Sequence, residues 1–306
     1  MRFYFIFLLS ISIYSQNQIS GNVLNKNTKK PLTYCTIQIE NKSKGTYTNE
    51  EGNFKLDTTG YGKRKIIISH MGFISDTIKL GNLNTNTIIK LKPNINQLNE
   101  VVINSKNIEK NRNKNQKWFW NNNRERKYMV TPARGTTYGI LIDKPNKIFG
   151  SFEIYFLKQK NDTQNRIRIH FYKRAENGEP TKERFFKNDL IFELPYKSKE
   201  LSVDLSYLNF KIPKNGFYLG IEFMGNKTNQ LNSETTIFYT DDLKGYRTYI
   251  RTWGNDWLNT SKYTSRRTKY YNLKYSYSII EWEKSYNQQR ITTIAALCPT
   301  DTTAQA

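Results

Sequence analysis

The sequence predicts an all-β protein made of two sandwiches in tandem. Three observations predict it. Side chains suited to a pleated, half-buried surface dominate, with 21 Tyr and 17 Phe beside frequent Ile and Thr. Apolar residues alternate with polar ones over short runs. Turn-forming Gly, Pro, Asn and Asp punctuate these runs at close intervals. At 306 residues the chain is long enough for two domains, each with its own core.

The first fifteen residues set the expected compartment. Arg2 precedes an apolar run from Phe3 to about Ile13, and Ser15 stands before the polar Gln16. That is the layout of a secretory signal peptide, implying export through the Sec pathway. No Cys follows to suggest a lipid anchor. No later stretch is apolar enough for a transmembrane helix, so no transmembrane segment is expected in the mature chain. Lys and Arg outnumber Asp and Glu by 48 to 26, a formal charge of +22. Such an excess suits nucleic acid, anionic polysaccharide or lipid headgroups. Here it is spread along the chain, which is the pattern of a solvated surface, and the export signal argues against nucleic acid. The two cysteines, Cys35 and Cys298, are too few for a disulfide framework. Cys35 shares a face with Ile37 and Ile39 and reads as buried.

Residues 16–104 read as the first module. Ile19, Gly21 and Val23 begin a strand, and Lys30-Pro31-Leu32 leads into Tyr34–Glu40. Gly45-Thr46-Tyr47-Thr48 precedes the polar turn Asn49-Glu50-Glu51-Gly52, with Phe54 and Leu56 on one face of the next strand. Ile66-Ile67-Ile68-Ser69 is a continuous apolar run of the kind found in central strands. Ile74–Leu80 and Thr87–Leu91 close the series. Gly45, Gly52 and Gly72 are expected turn glycines, the last two permitting positive φ before Phe54 and Phe73.

In order and spacing, Ile19-Ser20-Gly21-x-Val23, Lys30-Pro31-Leu32, Gly45-Thr46-x-Thr48-Asn49-x-x-Gly52-x-Phe54, Ile68-Ser69-x-x-Gly72-Phe73 and Leu98-Asn99-Glu100-Val101-Val102-Ile103 resemble the carboxypeptidase-regulatory-like domain family. The resemblance implies a prealbumin-like seven-stranded sandwich. It also implies a Gram-negative bacterium, where the module stands before TonB-dependent receptors or other secreted domains. The periplasm or the outer-membrane surface is then the expected location. The residues carrying the resemblance are scaffold residues. Zinc carboxypeptidases hold their metal in a separate domain on a helical His-x-x-Glu pair, and neither His70 nor His170 has that context.

Residues 105–128 read as a basic linker interrupted by Trp118-Phe119-Trp120, which would dock on the second domain, cover an edge or stack on a sugar. The second module, 129–285, alternates more strongly. Phe152, Ile154 and Phe156 share a face, as do Ile167, Ile169 and Phe171, with Arg166, Arg168 and His170 opposite. Leu190–Leu194, Leu201–Leu205 and Phe217–Phe223 repeat the pattern, and Tyr275, Tyr277 and Ile279 form a last strand. One apolar face per strand predicts a jelly-roll-like antiparallel sandwich with a polar outer side. The order Val203-Asp204-Leu205 then Ile212-Pro213-x-x-Gly216-Phe217-Tyr218-Leu219-Gly220-Ile221-Glu222 looks like the uncharacterised β-sandwich that often follows the first module. Residues 286–306 change composition and read as a disordered tail.

No nucleophile elbow, phosphate-cradling loop or Cys-x-x-Cys pair is present. No catalytic, cofactor or metal residue is therefore assigned, and no cofactor is expected. Asp241-Asp242 read as a polar turn. Glu153 and Glu222 sit on the non-core faces of strands and would converge as a glycosidase pair only if those strands were neighbours. Tyr246, Tyr249, Arg251, Trp253 and Trp257 offer flat rings and a guanidinium, which suit a glycan if they lie on a rim; otherwise they pack in the core or cap the sheet. The expected function is non-catalytic binding or assembly in the cell envelope, with an envelope glycan or outer-membrane protein as partner. An accessory role in TonB-dependent uptake and an undetected polysaccharide or peptide hydrolase are the alternatives.

Overall fold

A computed structural model describes residues 18–83, 85–94, 116–120, 128–156, 165–186, 190–196, 198–225, 237–241, 248–259, 271–273 and 275–280. The expected leader, Tyr246, Asp242, Cys298, most of the linker and the tail lie outside the described residues. Among those described, no helix is long and apolar enough to cross a membrane.

The N-terminal module has seven strands: β1 (Gln18–Asn25), β2 (Thr36–Ile39), β3 (Gly45–Tyr47), β4 (Asn53–Asp57), β5 (Lys65–Ser69), β6 (Asp76–Lys79) and β7 (Thr87–Leu91). They form two sheets, β4-β1-β7 and β3-β2-β5-β6. All pairings are antiparallel except β1 with β7, which run parallel with Gly21 opposite Thr87 and Asn25 opposite Leu91. Val23, Ile37, Ile39, Phe54, Ile66 and Ile68 fill the space between the sheets. Period-two alternation does what it predicts in β4, where Phe54 and Leu56 turn inward and Asn53, Lys55 and Asp57 face water. Cys35 joins this core, its Sγ against the Leu32 carbonyl oxygen at 3.5 Å.

The C-terminal body comprises β8 (Gln116–Trp120), β9 (Tyr128–Val130), β10 (Thr136–Ile142), β11 (Ile148–Tyr155), β12 (Arg166–Arg174), β13 (Pro180–Arg184), β14 (Leu190–Glu193), β15 (Glu200–Asp204), β16 (Phe217–Gly225), β17 (Ile237–Asp241), β18 (Tyr249–Thr252), β19 (Leu258–Asn259), β20 (Tyr271–Leu273) and β21 (Tyr275–Ile280). A seven-stranded sheet runs β13-β12-β16-β10-β18-β19 with β14 also on β12, and a four-stranded sheet runs β15-β11-β21-β8. A third, β20-β17-β9, has three strands. Successive strands β10, β11 and β12 alternate between the two larger sheets, as in a jelly-roll-like sandwich. Phe149, Phe152, Phe171, Phe217, Ile221 and Phe223 lead the core between them.

The linker expectation needs correcting at one point. Strand β8 lies within 105–128 yet pairs with β21, Phe119 opposite Tyr277, as an edge of the second sandwich. The Phe119 ring stacks on Tyr277 at 5.2 Å between centroids, with Lys144 Nζ 4.6 Å from its centre. The tryptophan pair of that run, Trp118 and Trp120, has its side chains outside the described residues. Asp241 also departs from expectation, since it ends strand β17 rather than sitting in a turn.

Candidate functional site

The outer face of the large sheet is not solvated. Arg166, Arg168 and His170 on β12 and Glu222 on β16 are all buried, although alternation places them on the polar side. The N-terminal module covers them through β2, β3 and the loops beside these strands. The register explains the grouping. Arg168 lies opposite Glu222 and His170 opposite Gly220, so the three chemically active side chains share one patch.

Tyr47, from β3, is the plug in this patch. It is 2% exposed and its ring packs at a tilt against Trp253, 4.9 Å between centroids, while the Arg134 and Arg168 guanidinium groups lie 4.9 and 5.4 Å from its centre. Its hydroxyl donates to Glu222 Oε1 at 2.5 Å. Arg168 donates to the Tyr34 carbonyl oxygen at 2.6 Å and to Thr36 Oγ1 at 3.2 Å, while approaching Glu222 Oε2 at 3.7 Å. Arg166 donates to Glu50 at 3.1 Å, and Asn255 to Ser43 at 3.3 Å. Tyr34 (φ 57°) and Trp253 (φ 53°), both at this seam, hold left-handed backbone conformations that cost L-residues roughly 1–3 kcal/mol each. Docking of the modules over-determines both.

Hydrogen-bond geometry fixes the protonation states. An arginine can only donate, so Arg184 Nη1 at 3.2 Å makes His170 Nδ1 an acceptor. The ring proton is then on Nε2 and is donated to Glu222 Oε2 at 2.7 Å. His170 is neutral: burial pushes its pKa down from 6.5 to about 4, outweighing the hydrogen bond to Glu222. Burial opposes the Glu222 charge, but Arg168 and the hydrogen bonds from His170 and Tyr47 outweigh it and hold the carboxyl below its ordinary 4.5. Burial, then the Glu222 charge, keeps the Tyr47 phenol well above its ordinary value. A His–Glu pair of this kind resembles an acid–base dyad. Here each carboxylate oxygen and each ring nitrogen has a protein partner.

The aromatic residues singled out from sequence do gather near this seam, but as packing. Tyr249 is 3% exposed and Trp253 4%; neither presents a ring face to solvent. Tyr249 packs edge-on to Tyr218 at 5.4 Å. Arg251 is held between the rings of Tyr172 and Trp257, 4.7 Å from each centre, and donates to the Tyr172 hydroxyl at 2.6 Å. Trp257 remains half-buried, its Nε1 donating to the Thr181 carbonyl oxygen at 2.9 Å. The rim expected for a stacked sugar is thus filled by the protein's own side chains. Gly52 (φ 75°) and Gly72 (φ 90°) occupy the expected left-handed turns. Gly45 is corrected: it opens strand β3, and its missing side chain admits Trp253, whose ring a Cβ would meet at 2.6 Å.

Gly135 makes the same accommodation from the other side, with φ +79° and a virtual Cβ 2.4 Å from the Trp253 ring. Gly135→Ala is expected to destabilise the protein by roughly 2–4 kcal/mol, through overpacking and backbone strain together. Thermal unfolding checks this, and an unchanged midpoint would mean that Trp253 can leave the seam without cost.

The alternative carboxylate pair, Glu153 with Glu222, does not come together. Glu222 faces the N-terminal module from the large sheet. Glu153 lies on the outer face of the four-stranded sheet, accepting from Tyr155 and Ser276 at 2.8 Å each. The sandwich core separates them. Among the described residues, no group of three or more His, Cys, Asp and Glu is placed to hold a metal ion. Two clefts flank the lock. One of about 210 Å³ lies by Tyr34, Glu50, Arg134 and Arg166. The other, about 430 Å³, is lined by His70, Phe73, Arg168, Lys173, Arg184 and Phe186 among others. His70 stands just past β5, half-buried, with both ring nitrogens against backbone oxygens of Met71 and Thr33.

Sequence reasoning missed this lock. The alternation did put Arg168, His170 and Glu222 on one side of their strands, but only the β12–β16 register brings them together, and nothing local marks Tyr47 as a plug.

Residues 19–103 match the family model described as the CarboxypepD_reg-like domain. No curated protein matches the chain. Among solved structures, a clostridial cysteine protease, Cwp84 after propeptide cleavage, is 11% identical, with 86% of this chain and 70% of that one covered and a TM-score of 0.39. A putative carbohydrate binding protein from Bacteroides uniformis is 9% identical over 87% of this chain and 98% of that one, with a TM-score of 0.21. At these scores neither likeness bears on the activity or ligand of this chain.

Proposed function

With residues 19–103 a CarboxypepD_reg-like domain, we propose that the chain is an exported, non-catalytic cell-envelope binding protein whose two modules act as one recognition body for a glycan. The carrying observation is the buried hydrogen-bonded network at the seam. Glu222, His170 and Arg168 hold the modules together with Tyr47, and each is buried among protein partners. Such a network rigidifies a junction that is ordinarily free to move between domains. The recognition surface is the larger cleft beside it, which mixes cations, hydroxyls and half-buried phenylalanine rings. Export is supported by the leader-like first fifteen residues.

The test is a pairing of two assays on the intact chain. A glycan array should return at least one ligand, while a polysaccharide and peptide turnover panel should show no product. Turnover that Glu222→Gln abolishes would overturn the non-catalytic reading, and an array without ligand would overturn the glycan reading. Fractionation of the native cells should place the protein outside the cytosol.

A further inference from the structure

We propose that the larger cleft at the seam takes an acidic saccharide by its carboxylate, with Arg184 as the anchoring cation. This rests on the glycan reading above and narrows it to one charge class. Arg184 ends β13, half-buried in the cleft wall. Its Nη1 donates to two neutral acceptors, Met71 Sδ at 3.0 Å and His170 Nδ1 at 3.2 Å. Among the described residues no carboxylate pairs with it, and its Nε and Nη2 find no protein acceptor.

The other charges lining the cleft cancel. Lys173 pairs with Glu183 at 2.8 Å, and Arg168 with Glu222 at 3.7 Å. Arg184 is the surplus. A guanidinium presents planar N–H pairs that match a carboxylate in two parallel hydrogen bonds, and a half-buried position strengthens them over a surface contact. Bulk cationic charge does not explain this position, because Arg184 sits between a thioether and an imidazole rather than among solvated lysines.

The remaining lining favours a sugar over a peptide. Phe73 and Phe186 leave part of each ring uncovered, suited to the C–H face of a pyranose. Ser69 and Ser75 add hydroxyls that pair with ring hydroxyls. About 430 Å³ lies within the span of small-ligand sites and excludes a folded partner.

Calorimetric titration of the full chain with hexagalacturonate and with its methyl ester, which caps each carboxylate and removes its charge, tests this directly. The acid should bind at least roughly tenfold tighter than the ester, with an advantage that falls as salt is raised. Arg184→Gln should remove that advantage, so that acid and ester bind alike. Arg184→Lys keeps the charge and loses the fork, so it should fall between the two; it also serves if the glutamine variant does not fold. Equal affinity for acid and ester, or full acid binding by Arg184→Gln, overturns the proposal while leaving a glycan-binding protein. Absence of binding to either overturns the proposal, and the glycan array alone decides the broader reading. Polyglutamate binding as tight as the uronate would assign the cleft to acidic peptide and overturn the saccharide.

Discussion

Glu222→Ala should destabilise the protein by about 3–5 kcal/mol, the cost of leaving buried partners without their counter-charge. Arg168 would keep its position, 4% exposed and sandwiched under the N-terminal module, with no carboxylate nearby. The Tyr47 hydroxyl and the His170 Nε2 proton would lose their acceptor as well. For a body of this size the midpoint of thermal unfolding should fall by roughly 10 °C. The network reading makes a second demand. Arg168→Met in the same background should recover part of the loss, because a buried cation without its partner is worse than an apolar side chain of similar volume. If the single substitution leaves the midpoint unmoved, or if the double variant is the sum of two independent losses, the three groups do not act as a unit.

Acid should loosen the same seam. His170 is neutral in the folded protein with its pKa pushed down to about 4, against 6.5 when unfolded. As pH falls below 6.5 the unfolded chain takes up a proton that the folded one refuses. Stability present above 6.5 is therefore lost progressively down to about 4, amounting to roughly 3 kcal/mol in all. Glu222 acts in the same direction at lower pH, since a carboxyl held below 4.5 contributes stability above 4.5 that disappears as acid protonates it. Calorimetry from pH 7 to pH 4 should show a falling midpoint, and His170→Gln should flatten the upper part of that fall. A slope that survives His170→Gln would place the acid response elsewhere.

Much of the fold was legible because a strand facing a core writes its own pattern. Ile19 with Val23, Phe152 with Ile154, and Phe217 through Phe223 all lie where alternation puts them. Strand β10 escaped that reading. Its outer face carries Gly139, kept bare by the Trp257 ring at 3.1 Å, and Leu141, which blurs the polar side. Strand β13 has no apolar alternation in its Pro-Thr-Lys-Glu-Arg, β18 puts Tyr249 beside Ile250, and β19 has only two residues. The site was harder. Polar outward positions on β12 and β16 are what a solvated face and a buried interface both require, and only the position of the other module distinguishes them. Trp253 illustrates the same limit: an aromatic beside arginines reads alike on a sugar-binding rim and in a packed joint, yet the structure has it wedged between Gly45 and Gly135.

The partners that close the seam are far apart along the chain, Tyr47 and Glu222 being 175 positions apart. With its N-terminal part emerging first, the first sandwich forms before its socket exists. For that interval Tyr47 stands on a finished surface with nothing above it, and domain docking becomes a late event of maturation. Quality control that clips exposed joints would act in this window, and afterwards the joint is out of reach.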